Sequence, residues 1–423
     1  MLKEVANYGV CAFCEGEKIT LIKNFGEMGL AGGFLSESEI SAETLYPMNL
    51  CLCENCFAVQ IVDEISPDTM FKKGYFYFSS SIGTLREHFQ KYAKEVVDRF
   101  ITNPESSIIL EFGCNDGVLL SPLADLNIGT LIGVDPASNV VSKINDDRIV
   151  AINSYFDEEC ALKIFDKFGY ADLILANNVF AHVNDINALT RSIDKALAPN
   201  GVFVFEVHYL GKIIDEMQYD MIYHEHIYYY SLLALENHFS RYGMIVFDTK
   251  KVANHGGSIR FHVCRENSKF ALPSDRVKDL RSDELEKGFN NISLFHEFGK
   301  KINQQRSDLL ELLHSIKSEG KTIAGYGASG RANTMLQFCG IDATLIDYMI
   351  DDAPAKAGFY TPGSHLKIEE KIPLSGDQRP DYVVIFAWTF LKEICSRNIS
   401  YLQSGGQFIV PLPEVKILDI SAL

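Results

Sequence analysis

A run of titratable side chains lies at Tyr223-His224-Glu225-His226, within the longer stretch YDMIYHEHIYYY. Phenol, imidazole and carboxyl groups are the side chains that transfer protons during catalysis. The run is not the zinc-protease motif H-E-x-x-H, whose histidines lie one helical turn apart. If the run is extended, His224 and His226 share one face and Glu225 points away from it. The alternative interpretation is a polar loop with aromatic neighbours.

A loop containing two glycines follows an apolar run of strand length in the region 106–136. The loop has the sequence Glu111-Phe112-Gly113-Cys114-Asn115-Asp116-Gly117. Its glycines allow the backbone to approach a ligand closely. A second apolar run ends at Asp135, which precedes Pro136. An acid placed ~20 residues after such a loop can accept hydrogen bonds from both ribose hydroxyls.

The glycine spacing in this loop differs from the dinucleotide fingerprint G-x-G-x-x-G. The pattern E-x-G-x-x-x-G followed by an acid instead resembles the S-adenosylmethionine site of class I methyltransferases. The simpler interpretation is an ordinary turn between a strand and a helix. Because Asp135 is in register with the loop, we favour the cofactor interpretation.

Polar residues also follow the next predicted strand, 172–176, as Asn177 and Asn178, with His182 shortly after them. Ligands of open α/β sheets bind at the carboxyl ends of strands. We therefore expect Asn178 and His182 to lie close to the glycine loop. An isolated histidine is more often structural, but this position favours a role in the site.

Two C-x-x-C pairs, Cys11 with Cys14 and Cys53 with Cys56, lie about 40 residues apart. Each pair can form a tight knuckle, and four thiolates complete a tetrahedral zinc site. Cys51 could replace Cys53, although Cys53 fits the two-residue spacing. Four thiolates leave no open coordination position, so the predicted zinc is structural. The alternative is a set of buried thiols.

A complete G-x-G-x-x-G motif lies near the C-terminus, between a predicted strand and a predicted helix. It comprises Gly325, Gly327 and Gly330, and Arg331 begins the helix. The next predicted strand ends at Asp351. This context predicts a phosphate-binding loop in a second Rossmann-like domain.

The composition limits the protein's partners and location. A net charge of −17 over 423 residues argues against binding of nucleic-acid phosphates as the main task. No apolar run approaches the ~18 residues of a membrane helix, and no signal peptide is visible. These features predict a cytoplasmic protein in a reducing compartment, whose ten cysteines are metal ligands or buried thiols.

Together the motifs and their order resemble the zinc-containing sugar C-methyltransferases of deoxysugar pathways, over nearly the whole chain. The resemblance is carried by the two C-x-x-C pairs, Tyr75-x-Tyr77-x-Ser-Ser, the E-x-G-x-N-D-G loop, Asn177-Asn178-Val-x-Ala-His182, Tyr-His-Glu-His, His255-Gly-Gly-Ser-x-Arg260 and Gly-Tyr-Gly-Ala-Ser-Gly-Arg331. It implies methyl transfer from S-adenosylmethionine to carbon 3 of a nucleotide-linked 4-keto deoxysugar.

The resemblance also implies an α/β fold in three parts. The expected parts are a small zinc-binding domain at 1–78, a central class I, Rossmann-like methyltransferase domain at 79–250, and a C-terminal Rossmann-like α/β domain at 251–423 that helps to hold the sugar nucleotide. A monomer with no nucleic-acid or membrane partner is expected.

The family's catalytic roles fall on Tyr77, His182, Tyr223, Glu225 and His226. His226 is the candidate base, Tyr223 and His182 are candidates to contact the ketone oxygen, and Glu225 is expected to orient a neighbour. The choice between Tyr75 and Tyr77 stays open. The expected cofactor residues are Glu111, Gly113, Asn115, Asp116, Gly117, Asp135, Pro136, Asn177 and Asn178. The expected substrate residues are Tyr75, His224, Gly325, Gly327, Gly330 and Arg331.

Two alternatives belong to other classes of protein. The fingerprint at Gly325 with Asp351 could bind NAD, which would make the chain a sugar oxidoreductase. A zinc-nucleated interaction protein built on degenerate nucleotide folds would have no catalytic residues. The concentration of tyrosine, histidine and glutamate at 223–226 argues against this second alternative.

Overall fold

Three β-sheets organise the chain in the computed structural model, which describes residues 8–66, 69–70, 83–369, 374 and 379–422. Tyr75 and Tyr77, which were expected to act at the site, lie outside the described residues. None of the ten cysteines forms a disulfide.

The strands and helices follow in chain order. The strands are β1 (Ile19–Met28), β2 (Tyr46–Cys53), β3 (Val59–Ile61), β4 (Ile108–Phe112), β5 (Thr130–Asp135), β6 (Ile149–Asn153), β7 (Ala171–Asn177), β8 (Leu197–His208), β9 (Tyr228–Tyr229), β10 (Met244–Val252), β11 (Ser258–Arg265), β12 (Ile323–Tyr326), β13 (Tyr348–Ile350), β14 (Ile368–Glu369), β15 (Tyr382–Ile385), β16 (Gln407–Val410) and β17 (Lys416–Leu418). The α-helices are α1 (Gly83–Phe100), α2 (Leu120–Ala124), α3 (Ser138–Val141), α4 (Glu158–Phe168), α5 (Ile186–Ala196), α6 (Leu210–Asp215), α7 (Leu232–Ser240), α8 (Asp275–Lys287), α9 (Ile292–Ser318), α10 (Gly330–Cys339), α11 (Leu391–Arg397) and α12 (Ile399–Gln403).

The central sheet has the strand order β10-β11-β8-β7-β4-β5-β6. Strands β4 to β8 are parallel, whereas β11 runs antiparallel to both β8 and β10. Its strands are apolar on both faces because helices cover both sides. On β8, for example, Phe203 and Phe205 pack against Phe180, while Val202 and Val204 pack in the core on the opposite face.

The two outer sheets differ in strand direction. The N-terminal sheet, β1-β2-β3-β9, is antiparallel throughout. The C-terminal sheet, β14-β13-β12-β15-β16-β17, is parallel except for β17. The predicted α/β fold class, with a cysteine-bearing N-terminal part and Rossmann-like sheets after it, is confirmed.

Two strands lie in a different sheet from the one that the expected domain boundaries imply. The expected boundary after residue 250 falls inside the antiparallel pair β10–β11, which completes the central sheet. Strand β9, which lies within the expected central domain 79–250, pairs with β3 of the N-terminal sheet. The chain therefore returns to the first sheet directly after the residues at 223–226.

Side-chain hydrogen bonds fix the start of α7, the helix that follows residues 223–226 and β9. Ser231 caps α7 by accepting a hydrogen bond from the amide of Ala234. The buried carboxylate of Glu284, on α8, accepts from the amides of Leu232 at 2.8 Å and Leu233 at 2.9 Å. Such contacts satisfy helix N–H groups that have no partner within the helix. The chain leaving 223–226 is thereby held at a defined point.

Candidate active site

The glycine loop after β4 has a backbone that requires glycine. Gly113 has φ +65° and Gly117 has φ +79°. A Cβ atom at Gly113 would lie 2.6 Å from Cγ2 of Val179, a distance that no side chain tolerates. The loop therefore packs directly against the segment that follows β7.

Asp135, at the end of β5, holds the loop in this conformation. Its Oδ2 atom accepts from the amide of Asn115 and its Oδ1 atom accepts from the amide of Ala137, both at 2.9 Å. Burial raises the pKa of Asp135. The expected neighbours Asp116 and Pro136 flank these two anchor points. The loop and the acid are thus one hydrogen-bonded unit, and binding of a ribose by Asp135 stays a prediction.

Buried polar atoms that could bind a cofactor lie at the ends of β4 and β7. The Nδ2 atom of Asn177 donates to Oε1 of Glu111 at 3.1 Å. Among the described residues, Oε2 of Glu111 and the Oδ1 atoms of Asn177 and Asn178 have no hydrogen-bond partner. Burial raises the pKa of Glu111 to about 8. Unsatisfied buried polar groups are costly, so this set fits a polar ligand such as S-adenosylmethionine.

Tyr223 and His226 form a hydrogen-bonded pair with a defined tautomer. The Nδ1 atom of His226 lies 2.9 Å from the carbonyl oxygen of Met221, to which it must donate. The Nε2 atom therefore carries the lone pair, and it accepts from the Tyr223 hydroxyl at 2.9 Å. The Tyr223 hydroxyl is therefore hydrogen-bonded directly to the basic nitrogen of His226.

Two further imidazoles surround His226. The ring centroid of His182 lies 4.9 Å from that of His226, and the centroid of His208 lies 5.2 Å from it. Burial lowers the pKa of His182 to about 4, so this ring is neutral at physiological pH. His208 was not among the residues expected at the site, although it lies at the carboxyl end of β8, where ligands of open α/β sheets bind.

The segment 223–226 is not extended, so the shared face that an extended run would give His224 and His226 does not form. The segment is a turn closed by the amide of His226 donating to the carbonyl oxygen of Tyr223 at 2.8 Å. The two histidines consequently point to different places. His224, expected to bind substrate, is buried with its Nε2 atom 3.0 Å from the carbonyl oxygen of Pro47 in β2. Its side chain joins the segment to the N-terminal sheet.

Glu225 faces a loop of the N-terminal domain. Its Oε1 atom accepts from the amide of Gly32 at 2.9 Å. Its buried Oε2 atom has no hydrogen-bond partner within the described part of the chain. Burial raises the pKa of Glu225, which favours the protonated form that can donate a hydrogen bond.

The C-terminal glycine loop reaches the Tyr223–His226 pair. A Cβ atom at Gly330 would lie 3.6 Å from Cβ of Ala31 and 3.7 Å from Cζ of Tyr223. At Gly327, which has φ +95°, it would lie 2.6 Å from Cβ of Ala387 in the loop after β15. Gly325 has similarly little space beside Met349. The start of α10 is therefore packed against the phenol.

Arg331, expected to bind a diphosphate, is paired with a buried carboxylate that the sequence analysis missed. Its Nε atom donates to Oδ2 of Asp220 at 2.8 Å and its Nη2 atom donates to Oδ1 at 3.0 Å. Asp220 also accepts from Nε1 of Trp388 at 2.9 Å, and the guanidinium lies 4.9 Å from the Trp388 ring centroid. This arrangement connects α10 to the chain just before Tyr223.

The four predicted zinc ligands come together in the N-terminal domain. The Sγ atoms of Cys11, Cys14, Cys53 and Cys56 all lie within 4.8 Å of one another. The Cys11–Cys56 and Cys14–Cys53 separations are both 3.6 Å, near the ~3.8 Å edge of a tetrahedron with 2.3 Å Zn–S bonds. Cys51 is buried outside this cluster. The prediction of a zinc-binding cysteine cluster is confirmed, and Cys53 rather than Cys51 completes the cluster.

Comparisons with known proteins agree with this three-part arrangement. A zinc binding domain profile matches residues 11–71, a profile described as "Methyltransferase domain" matches 85–247, and one described as "C-methyltransferase C-terminal domain" matches 253–413. The chain is 31% identical to C-methyltransferase NovU of Streptomyces niveus over 417 residues, which cover 97% of this chain and 96% of that protein.

Other similarities are confined to part of the chain. A ubiquinone biosynthesis O-methyltransferase of Azorhizobium caulinodans is 30% identical over 97 residues, covering 23% of this chain and 38% of that protein. The solved structure of the plantazolicin methyltransferase BpumL in complex with SAH covers 42% of this chain and 82% of its own, with 13% identity and a TM-score of 0.34. Among the described helices, none is long and apolar enough to cross a membrane.

Proposed function

Because the chain belongs to the S-adenosylmethionine-dependent C-methyltransferase family, we propose that it methylates carbon 3 of a nucleotide-linked 4-keto deoxysugar. The observation that carries this proposal is the Tyr223–His226 pair, whose basic nitrogen is defined by its tautomer and lies beside His182. A carbon next to a ketone becomes nucleophilic once it loses a proton, and such a pair is suited to that task.

The cofactor would be held at the ends of β4, β5 and β7. Glu111, Asn177 and Asn178 supply buried polar atoms there, and Asp135 fixes the glycine loop. When bound, S-adenosylmethionine supplies an electrophilic methyl group. The chain contributes positioning, which brings the methyl group into line with the reacting carbon.

Proton removal is assigned to His226. The lone pair of its Nε2 atom is bound by the Tyr223 hydroxyl in the free protein. When the ketone oxygen accepts the hydrogen bond from that hydroxyl instead, the lone pair becomes available. The proton of carbon 3 then moves to Nε2, and the electron pair of the broken C–H bond forms an enolate. Tyr223 and the neutral His182 stabilise the enolate oxygen. With S-adenosylmethionine bound, the enolate carbon would be the nucleophile for its methyl group, so that the new C–C bond would replace the S–CH₃ bond and S-adenosylhomocysteine would be the leaving group.

The nucleotide end of the substrate is assigned to the C-terminal glycine loop. A Cβ atom at Gly330 would contact both Tyr223 and Ala31, so a diphosphate at the loop would leave the sugar near the phenol. Glycine loops that begin helices bind phosphate through backbone N–H groups. Arg331 and the half-buried Trp388, both held by Asp220, would contact this end of the substrate.

The nicotinamide alternative is disfavoured by Lys356. The Nζ atom of Lys356 lies 3.1 Å from Oδ2 of Asp351, the acid that would bind the ribose of NAD. The same ammonium donates to the carbonyl oxygen of Ala328, in the glycine loop, at 2.6 Å. A dinucleotide would have to displace this lysine from both partners.

The decisive experiment is mass spectrometry of products formed from methyl-labelled S-adenosylmethionine and a panel of nucleotide-linked ketosugars. We expect one labelled methyl group on the carbon next to the ketone of one or a few panel members. Label found only on oxygen or nitrogen would refute the proposal. Nuclear magnetic resonance of the product distinguishes carbon 3 from the other ring positions.

Replacement of Asp135 by alanine should weaken S-adenosylmethionine binding by ~1–3 kcal/mol, the cost of leaving buried polar groups without partners. The amides of Asn115 and Ala137 would lose their acceptor. Titration calorimetry would measure the change. Asp125→Ala is the matched control, because that side chain is 72% exposed. Unchanged affinity in Asp135→Ala would move the cofactor elsewhere.

Replacement of Arg331 by alanine should raise the KM for the sugar nucleotide ~10–100-fold, as expected for a lost charge-assisted hydrogen bond. Affinity for S-adenosylmethionine should not change. Arg331→Lys keeps a charge beside Asp220 and should have a smaller effect. Arg397→Ala removes a half-exposed arginine of the same domain and serves as control. A KM that stays at the wild-type value would remove Arg331 from the substrate site.

A further inference from the structure

We propose that the zinc knuckle at 11–14 holds the catalytic segment, defined here as residues 223–230, in its working position. Phe13 is then a positioning residue for proton transfer, although it lies outside the site. The inference rests on the proposed function, because the catalytic segment carries the Tyr223–His226 pair.

The end of the catalytic segment is a strand of the sheet that carries the cysteines. Strand β9 pairs with β3, which follows the zinc ligand Cys56. The amide of Ile61 in β3 also donates to the carbonyl oxygen of Ile227, just before β9, at 2.8 Å. Any shift of β3 must therefore move the backbone immediately after His226.

Phe13 connects the metal site to the same strand through its ring. It lies between two zinc ligands and is 1% exposed. Its ring centroid is 5.0 Å from that of Tyr228 and 6.0 Å from that of Tyr230, in edge-to-face geometry. A third edge contact, at 5.3 Å, is made with His238 on α7. Zinc bound by the four cysteines would fix the backbone that carries the ring, and the ring packs against the first residue of β9 and the residue that follows the strand.

The knuckle backbone is held by hydrogen bonds to the central domain. The Nδ2 atom of Asn187, on α5, donates to the carbonyl oxygen of Ala12 at 2.7 Å. The guanidinium of Arg241, directly after α7, donates to the carbonyl oxygen of Phe13. The amide of Ala12 donates to Oε1 of Gln60 in β3 at 3.0 Å. The knuckle therefore binds β3 and the central domain together around β9.

The first half of the catalytic segment also depends on the N-terminal domain. His224 contacts the carbonyl oxygen of Pro47, and Glu225 accepts from Gly32. The cofactor loop, in contrast, is anchored within the central sheet through Asp135. A disturbance of the knuckle should consequently displace the catalytic pair while the cofactor site keeps its geometry.

The test is Phe13→Ala in the full-length protein. We expect one zinc per chain, with affinity for S-adenosylmethionine and the sugar nucleotide KM within about twofold of wild type. The maximal rate of proton exchange in heavy water should fall ~10–100-fold, since a displacement near 1 Å can cost that much. In ¹⁵N-histidine spectra, the Nδ1–H resonance of His226, assigned with His226→Asn, should shift or broaden.

Two variants make the result specific. Phe13→Leu keeps most of the buried volume and should recover much of the rate. Phe57→Ala changes the aromatic residue that follows Cys56 in the other cysteine pair. The Phe57 ring contacts no other aromatic ring among the described residues, so this variant should leave the exchange rate unchanged. A wild-type exchange rate in Phe13→Ala, or an equal loss of cofactor affinity, overturns the inference. If the wild-type protein shows no proton exchange, the proposed function fails. If the His226 resonance does not move in Phe13→Ala, the positioning role of Phe13 fails, whatever the outcome for the proposed function.

Discussion

Replacement of His226 by asparagine is expected to abolish methylation and also the exchange of the carbon-bound proton with heavy water. The loss should reach at least the ~10²–10⁴-fold that a general base contributes. A neutral imidazole is the side chain best matched to proton removal near neutral pH, and the hydrogen bond to Met221 makes Nε2 its basic atom. Exchange is measured by nuclear magnetic resonance without cofactor, because deprotonation requires no methyl donor.

Binding of S-adenosylmethionine should survive this replacement, which separates lost chemistry from lost structure. His314→Asn alters an exposed histidine on α9 and should behave as wild type. Tyr223→Phe keeps the ring and removes only the hydroxyl, so both reactions should slow by ~10²–10³-fold if it stabilises the oxyanion. Exchange at the wild-type rate in His226→Asn would assign the base to another residue, and His182 would be tested next.

Loss of the zinc site should have the largest effect on stability. Structural zinc contributes an apparent ~10–16 kcal/mol in zinc-finger peptides, comparable with the ~5–15 kcal/mol net stability of a whole domain. Cys56→Ser should therefore lose the metal and unfold the N-terminal sheet, with a marked fall in soluble protein. Metal analysis and thermal unfolding would measure both changes.

Cys51→Ser provides the matched control, because this thiol is equally buried in β2 but lies outside the four-cysteine cluster. It should keep one zinc per chain and show only the modest destabilisation of a polar atom placed in a core. Protein that is free of zinc yet folded and active would contradict the structural role of the metal.

Features set by local spacing could be predicted from the sequence. The C-x-x-C pairs form one cluster because two residues between cysteines allow both thiols to face one ion. Gly113 and Asp135 were predicted to act together, since parallel strands bring a loop and an acid to the same edge. In both cases the chemistry depends on residues that are adjacent in the chain or on adjacent strands.

Features that depend on distant contacts could not be predicted. The turn at Tyr223–His226 is stabilised by contacts with Pro47 and Gly32, which are far away in the sequence, so the sequence did not decide between an extended segment and a loop. Asp220 gave no signal, because its partners Arg331 and Trp388 belong to another domain. His208 was missed because no motif marks it, and only its position at the carboxyl end of β8, beside β7, brings it to the site.

If the C-terminal glycine loop holds the diphosphate as proposed, the nearness of Gly330 to Tyr223, whose Cζ atom would lie 3.7 Å from a Cβ atom at Gly330, would let the site measure the length of the substrate. A sugar nucleotide held by its diphosphate at the glycine loop would span a fixed length to the phenol. The position of methylation would then be determined by the distance between the diphosphate and the reacting carbon, rather than by recognition of every ring hydroxyl. Sugars that differ at positions remote from the ketone would be accepted. A ketone shifted by one carbon would no longer lie within hydrogen-bonding distance of the Tyr223 hydroxyl.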